Sequence, residues 1–224
     1  MQRYDLIIFD CDGVLIDSEV ISAQMLIAEL KSYGVSISRE FVSRRFLGRS
    51  YPTVLKEIRE SFGVALPERF EADYRARLLE AFSRDLKVMP GIPELLSGLQ
   101  RPHCLATSSS PERVSMSLKL VGLDRFFEPE RIFTASRVAR GKPAPDLFLL
   151  AAADMGHDPA RCLVIEDTET GIRAAKAAGM AVWRFTGGSH LQGIDLTPSP
   201  DAIPDWHFDN FSALVPALSE QADP

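Results

Sequence analysis

The 224-residue chain has a formal net charge of −6 and is 46% apolar, enough for one sizeable globular unit or a unit with a smaller insertion. Its acidic balance argues against general affinity for nucleic acid or anionic membranes, so any phosphate must be bound by a local site. Cys11, Cys104 and Cys162 lie far apart without a CxxC pair, and no signal-type segment or span of ~20 apolar residues occurs, so a soluble cytoplasmic chain is expected.

The first predicted element is a buried strand from Leu6 to Phe9. Residues 16–85 then follow helical spacing, as in Ile21, Met25, Leu26 and Leu30, with no convincing strand, and are expected to form an inserted all-helical domain between two core segments, 1–15 and 86–224. The breaker cluster Met89-Pro90-Gly91-Ile92-Pro93 marks the return, followed by a helix from Glu94 to Leu99. From there strands and helices alternate. Strands are predicted over Cys104 to Ala106, Ile132 to Thr134, Leu163 to Ile165 and Ala181 to Phe185. Between them lie helices opened by Ser110-Pro111, by Asp146, and by Thr170-Gly171, ending at Gly122, Gly156 and Gly179. The rhythm predicts an α/β fold with a doubly wound parallel sheet. The polar residues from about Ser219 are expected to fray.

Most informative is Phe9-Asp10-Cys11-Asp12-Gly13, a strand running straight into two carboxylates. Strand alternation would place Asp10 and Asp12 on one side at the carboxyl end, where open α/β sheets bind ligands. Such acids repel unless a divalent cation neutralises one or one holds a proton, and the pair can then act as nucleophile and proton donor. A calcium loop is excluded by spacing, because Val14, Leu15 and Ile16 follow at once. Glu166-Asp167 forms another strand-end acidic pair, and the two pairs together suit Mg²⁺ with phosphate as co-ligand. Asp167 or Thr168 can also cap the next helix. Lys142, in the stiff run Gly141-Lys142-Pro143-Ala144-Pro145, is a candidate counter-charge for nucleophile and phosphate. The run Thr107-Ser108-Ser109-Ser110 offers hydroxyl and N–H groups to a phosphate oxygen, with Thr107 the leading candidate and Ser108 beside it.

In the order and strand-end placement of Asp10-x-Asp12-Gly13, Thr107, Lys142-Pro143 and Glu166-Asp167-Thr168-x-x-Gly171, the chain resembles the haloacid dehalogenase superfamily, specifically its helical-cap phosphatases and mutases. The resemblance implies a Rossmann-like core with the first strand central and a cap that closes over the site. It implies that Asp10 attacks phosphorus, that Asp12 protonates the leaving oxygen and then activates water, and that Thr107 and Lys142 hold the transferring group. Asp10, the Asp12 carbonyl and Asp167 would bind Mg²⁺, with Glu166 a ligand or just behind one. The second aspartate, generally lacking in the dehalogenases, favours phosphoryl chemistry.

The wording around Asp12 to Glu19 looks like the β-phosphoglucomutase branch, so a sugar-phosphate mutase is the rival to a phosphatase. True mutases of the branch carry a cap-hinge histidine and a cap arginine, and an ungapped alignment puts Ser22 and Tyr51 at those positions. The expected activity is therefore hydrolysis of a small phosphomonoester, such as a sugar phosphate, a phosphorylated sugar acid or phosphoglycolate, by a monomer or small homo-oligomer. A non-catalytic metabolite-binding or protein-binding relative is the remaining alternative. Arg44, Arg45 and Arg49 form the densest basic cluster, and Arg49 is the expected substrate-binding member. His103, His157, His190 and His207 lie outside every motif and are expected on loops or at the surface, and Trp183 and Trp206 in core or edge packing.

Overall fold

The computed structural model describes residues 4–214, so the expected fraying from Ser219 lies outside the described residues. Six strands form one parallel sheet in the order β3-β2-β1-β4-β5-β6: β1 Leu6–Phe9, β2 His103–Thr107, β3 Ile132–Thr134, β4 Cys162–Glu166, β5 Ala181–Phe185 and β6 Trp206–Phe208. The first strand is central, with β2 on one side and β4 on the other. The α/β, Rossmann-like expectation therefore holds. Strands β1 and β4 are buried along their whole length, as apolar runs covered on both faces must be.

The period of two divides each strand between two cores. Ile7, Phe9, Leu105, Leu163 and Ile165 pack with Val114 and Leu118 of α6 (Pro111–Leu120). Leu6, Ile8, Ala106 and Val164 pack on the other face with Leu147 and Phe148 of α7 (Asp146–Asp154) and Ile172 of α8 (Glu169–Ala177). Ser110 caps α6 and Thr168 caps α8, each side chain accepting an N–H of the first turn. Strand β6 was not foreseen. It has three residues, of which only Phe208 is buried, and it closes the sheet edge beside β5, so it lacks the apolar run that marks the inner strands.

Between β1 and α5 (Ile92–Gly98) lie four helices: α1 Glu19–Lys31, α2 Arg39–Arg45, α3 Tyr51–Phe62 and α4 Phe70–Asp85. They bury their own cluster, including Leu26, Leu30, Val42, Leu55, Ile58, Phe70, Leu78 and Phe82. The chain crosses into this layer and back by adjacent segments, Asp17 N–H donating to Lys87 O at 2.9 Å and Met89 N–H to Leu15 O at 2.9 Å. Among the described residues no helix is long and apolar enough to cross a membrane. Because Phe70 is fully buried in the helical cluster, Phe70→Ala is expected to lower the unfolding free energy in urea by about 3–5 kcal/mol.

Candidate active site

The register of β1 against β4 builds the centre of the site. Phe9 pairs with Ile165, and Asp10 N–H donates to Ile165 O at 3.0 Å. Asp10 and Glu166 therefore leave the sheet side by side at its carboxyl edge. Lys142 lies between them, its Nζ donating to Asp10 Oδ1 at 2.6 Å, to Glu166 Oε1 at 2.9 Å and to Ala106 O at 3.1 Å. The other Glu166 oxygen, Oε2, accepts the N–H groups of Asp167 and Thr168 and the Thr168 hydroxyl. Glu166 is thus saturated. A side chain at Gly171 would put its Cβ 1.7 Å from Glu166 Oε1, so only glycine leaves room for this carboxylate.

Asp167 is the opposite case: it is fully buried, and neither carboxylate oxygen accepts a hydrogen bond among the described residues. His190 Nε2 approaches Asp167 Oδ2 at 2.8 Å, yet out of line for a hydrogen bond. Asp10, Glu166 and Asp167 can each turn one oxygen to within 4.8 Å of the others. An all-oxygen set, with a buried carboxylate lacking donors, fits a hard divalent cation. Burial drives Asp10 well above the usual carboxylate range although Lys142 opposes it, and burial followed by the Glu166 charge does the same to Asp167. Burial also works against Glu166, but Lys142 and the Thr168 N–H outweigh it and hold its carboxyl low.

Asp12 lines the same cavity as Asp10 but does not join the cluster. Strand alternation stops at Phe9, and the chain turns so that Leu15 and Ile16 N–H both donate to Cys11 O. The Asp12 carboxylate is held by Ser18 Oγ (2.5 Å) and Arg113 Nη2 (2.6 Å) on Oδ1, and by Ser109 Oγ (2.6 Å) on Oδ2. Burial would raise its pKa, but Arg113 and the two hydroxyls reverse that, and it falls below the usual value. So three of the four expected acids gather, and the fourth has a separate, cationic seat.

Residues of the helical layer close the other side of a cavity of about 460 Å³, among them Gly48, Arg49, Tyr51, Tyr74 and Arg75. Ser108 Oγ donates to Gly48 O at 2.9 Å, and Arg113 of α6 donates to Ser22 Oγ of α1 at 3.1 Å and lies over the Phe82 ring of α4. Glu19, behind Asp12, is pushed up to about 8 by burial and then by the Asp12 charge. Thr107 is buried; its oxygen accepts Ser109 N–H at 3.0 Å, which leaves the hydroxyl hydrogen for another acceptor.

Arg49 reaches the cavity, but its guanidinium is paired with Glu57 at 2.8 Å, and Arg45 binds the other oxygen of that same glutamate. Arg44 is an exposed partner of Glu40. Sequence reasoning missed Arg113 and His190. Arg113 follows the Ser110 cap by three residues, the one local hint that it turns back toward the loop. His190 lies on a loop, as one of the two expected placements, but its side chain is only 5% exposed and reaches the acid cluster. His103 departs from expectation, half-buried on β2 with its ring edge-on to Phe9. Trp183 packs in the core and Trp206 against it at the sheet edge, as expected.

A parallel sheet that gathers carboxylates and an ammonium at its strand ends beneath a cavity defines an α/β enzyme with a divalent-metal site. The chain belongs to the haloacid dehalogenase-like hydrolase family, whose model matches residues 4–179. The 6-phosphogluconate phosphatase of Escherichia coli (strain K12) is 29% identical over 195 residues, spanning 87% of this chain and 88% of that protein. The beta-phosphoglucomutase of Bacillus subtilis (strain 168) is 32% identical over 206 residues, spanning 85% and 87%. A haloacid dehalogenase-like protein of Agrobacterium tumefaciens shares the fold with a TM-score of 0.75 and 36% identity, over 97% of this chain and 100% of that one. Both phosphatases and a phosphoglucomutase are thus among its relatives, and the family model describes a hydrolase.

The buried Lys142 is the counter-ion of Asp10 and Glu166, so Lys142→Met is expected to lower the unfolding free energy at pH 7 by about 3–5 kcal/mol. Glu166, held below its ordinary 4.5, stabilises the fold above that pH and loses this as pH falls through its folded value. Lys142, held above its ordinary 10.5, stabilises below that pH and loses this as pH rises through its folded value. The gap between wild type and variant should therefore be widest between about pH 5 and pH 10 and narrow in acid. Urea unfolding at pH 3 and pH 7 checks this, and an equal gap at both would remove Lys142 as the charge partner.

Proposed function

We propose that the chain is a Mg²⁺-dependent phosphatase that hydrolyses a small sugar phosphate or phosphorylated sugar acid through transient phosphorylation of Asp10. The observation that carries this reading is the pairing of Asp10, which lines the cavity, with Lys142 beside the donor-poor carboxylate of Asp167. Asp10 and Asp167, with the Asp12 carbonyl, are the residues to hold the cation, and Glu166, already saturated by Lys142 and Thr168, backs them. Bound there, Mg²⁺ supplies charge neutralisation for phosphate and nucleophile.

The chain's own residues divide the remaining work. Asp10 Oδ attacks phosphorus; the P–O bond to the leaving group breaks, and Asp12 delivers a proton to that oxygen. Lys142 offsets the charge on the reacting groups, and the Thr107 hydroxyl hydrogen, not needed for its bond from Ser109, is available to a phosphoryl oxygen. In the second half Asp12 takes a proton from water, which attacks phosphorus and frees Asp10. The cationic seat of Asp12 suits this base role. For the acid role, the negative charge of an arriving phosphate beside it raises the Asp12 pKa toward protonation.

The helical layer serves as the cap, with residues 16–85 as its extent, and its contacts through Gly48 and Ser22 keep bulk water from the acyl phosphate. Hydrolysis is favoured over the mutase reaction because Ser22 is committed to Ser18 and Arg113, and Tyr51 stacks on Tyr74 with a centroid separation of 4.9 Å. Neither presents an imidazole or guanidinium to a second phosphate. Arg49 turns toward a substrate only by leaving Glu57, so it recognises an anionic or polyhydroxylated group by exchange. Three buried free cysteines accord with a cytoplasmic location, and a monomer or small homo-oligomer suffices for this site.

Phosphate release from a panel of sugar phosphates, phosphorylated sugar acids and phosphoglycolate, with Mg²⁺ and without any bisphosphate, tests the reading. Asp10→Asn should reduce turnover on the order of 10⁴-fold or more, and Asp12→Ala about 10²–10⁴-fold. Chelation by EDTA should silence the wild type, with Mg²⁺ restoring it. Unchanged turnover in Asp10→Asn would remove the nucleophile, and interconversion of sugar phosphates without phosphate release would establish the mutase instead.

A further inference from the structure

His190 stands on the short turn Ser189–Leu191 that follows β5, far in sequence from every strand-end motif. Its side chain is 5% exposed, and neither ring nitrogen has a hydrogen-bond partner among the described residues. Nε2 lies 2.8 Å from Asp167 Oδ2, out of line for a full hydrogen bond, and a hydrogen on Nε2 suits that close carboxylate better than a lone pair would.

Two glycines make the space for the ring. A Cβ on Gly13 would lie 2.9 Å from His190 Cε1 and 2.2 Å from Asp167 Oδ2, and the Gly13 backbone is left-handed at φ +83°. A Cβ on Gly188 would lie 2.7 Å from the same Cε1 and 2.8 Å from Nδ1. The imidazole therefore fills a slot walled by backbone, with Asp167 at its end. The turn that carries it is anchored separately: Ser189 N–H and Oγ both donate to Asp17 Oδ1, at 3.3 and 2.7 Å. Asp17 itself lies at the crossing into the helical layer, bonded to Lys87.

We propose that His190 is a positioning residue of the cation site, holding the Asp167 carboxylate through Nε2, with the Asp17–Ser189 contact fixing the turn that carries it. The inference rests on the reading of Asp10 and Asp167 as cation ligands. A partner of a metal-binding carboxylate fixes its orientation and so strengthens cation binding without touching the ion. The arrangement also ties that orientation to the segment where the chain crosses toward α1, because the same turn is bonded to Asp17.

The test is calorimetric titration of the EDTA-stripped full chain with Mg²⁺, with the metal-free melting temperature measured alongside. His190→Ala should weaken Mg²⁺ binding by about 10–100-fold. His190→Gln, whose carboxamide N–H can reach the same oxygen, should stay within about fivefold of wild type, the value of one hydrogen bond. Ser189→Ala, which leaves the imidazole in place, should weaken binding by about fivefold, and with His190→Gln it remains readable should His190→Ala fail to fold. Mg²⁺ affinity in His190→Ala within about twofold of wild type would overturn the proposal. So would equal losses in His190→Ala and His190→Gln that track a fall in the metal-free melting temperature, since His190 would then be packing alone. Absence of Mg²⁺ binding in the wild-type chain would overturn the cation reading itself, and this inference with it.

Discussion

Three carboxylates and one ammonium share a water-poor space at the end of the central strands, and everything else in the site accommodates that imbalance. Lys142 settles the charge of Glu166 and shares itself with Asp10, but among the described residues no ammonium or guanidinium is paired with Asp167. Burying an unpaired carboxylate is costly enough that such a group either takes a proton or binds a cation. The upward pull on Asp10 and Asp167 and the downward pull on Glu166 express the same deficit of positive charge. A centre so built is unfavourable alone and becomes favourable with a divalent ion, which couples folding of the sheet edge to readiness for phosphate.

The sheet, and not any helix, sets the spacing of these groups. Because Phe9 lies against Ile165, one step along each strand brings Asp10 and Glu166 out together, and the N–H of Asp10 completes the ladder. Strand β2 is the other neighbour of β1, so Thr107 emerges on its far side and the Ala106 carbonyl meets Lys142. A register slip of one residue would turn Asp10 to the opposite face and dissolve the cluster. The continuous apolar character of β1 and β4 thus protects the geometry of the acid cluster as well as the core.

That dependence explains which parts of the site could be read from sequence. Strand-end position is local, so Asp10, Thr107, Glu166 and Asp167 declared themselves through an apolar run followed by a polar residue. So did the inner strands and most of the helix starts, since Ser110-Pro111 and Thr168 carry their capping chemistry with them. Pairing across the fold is not local. Nothing near Asp12 signals that Arg113, 101 residues on, takes its carboxylate, and nothing near Arg49 says that Glu57 has already claimed it. His190 was hidden for the same reason, its partner being brought to it by the β4–β5 pairing. Strand β6 escaped because an edge strand needs few apolar residues, and this one buries only Phe208.

The separation of Asp12 from the other acids gives two like groups, two residues apart, unlike surroundings. If alternation had continued past Phe9, Asp12 would have added a further negative charge to the cluster and deepened its deficit. The turn through Cys11 instead delivers it to a guanidinium that also contacts Ser22 and Phe82 of the helical layer. The surroundings of Asp12 are therefore set by residues on both sides of the cavity, whereas Asp10 is held by the sheet edge and Lys142. Movement of the helical layer would alter the surroundings of Asp12 while leaving the Asp10–Lys142 pair as it is. Under the proposed roles, with Asp10 as nucleophile and Asp12 as acid, this order restrains proton delivery until the substrate is enclosed.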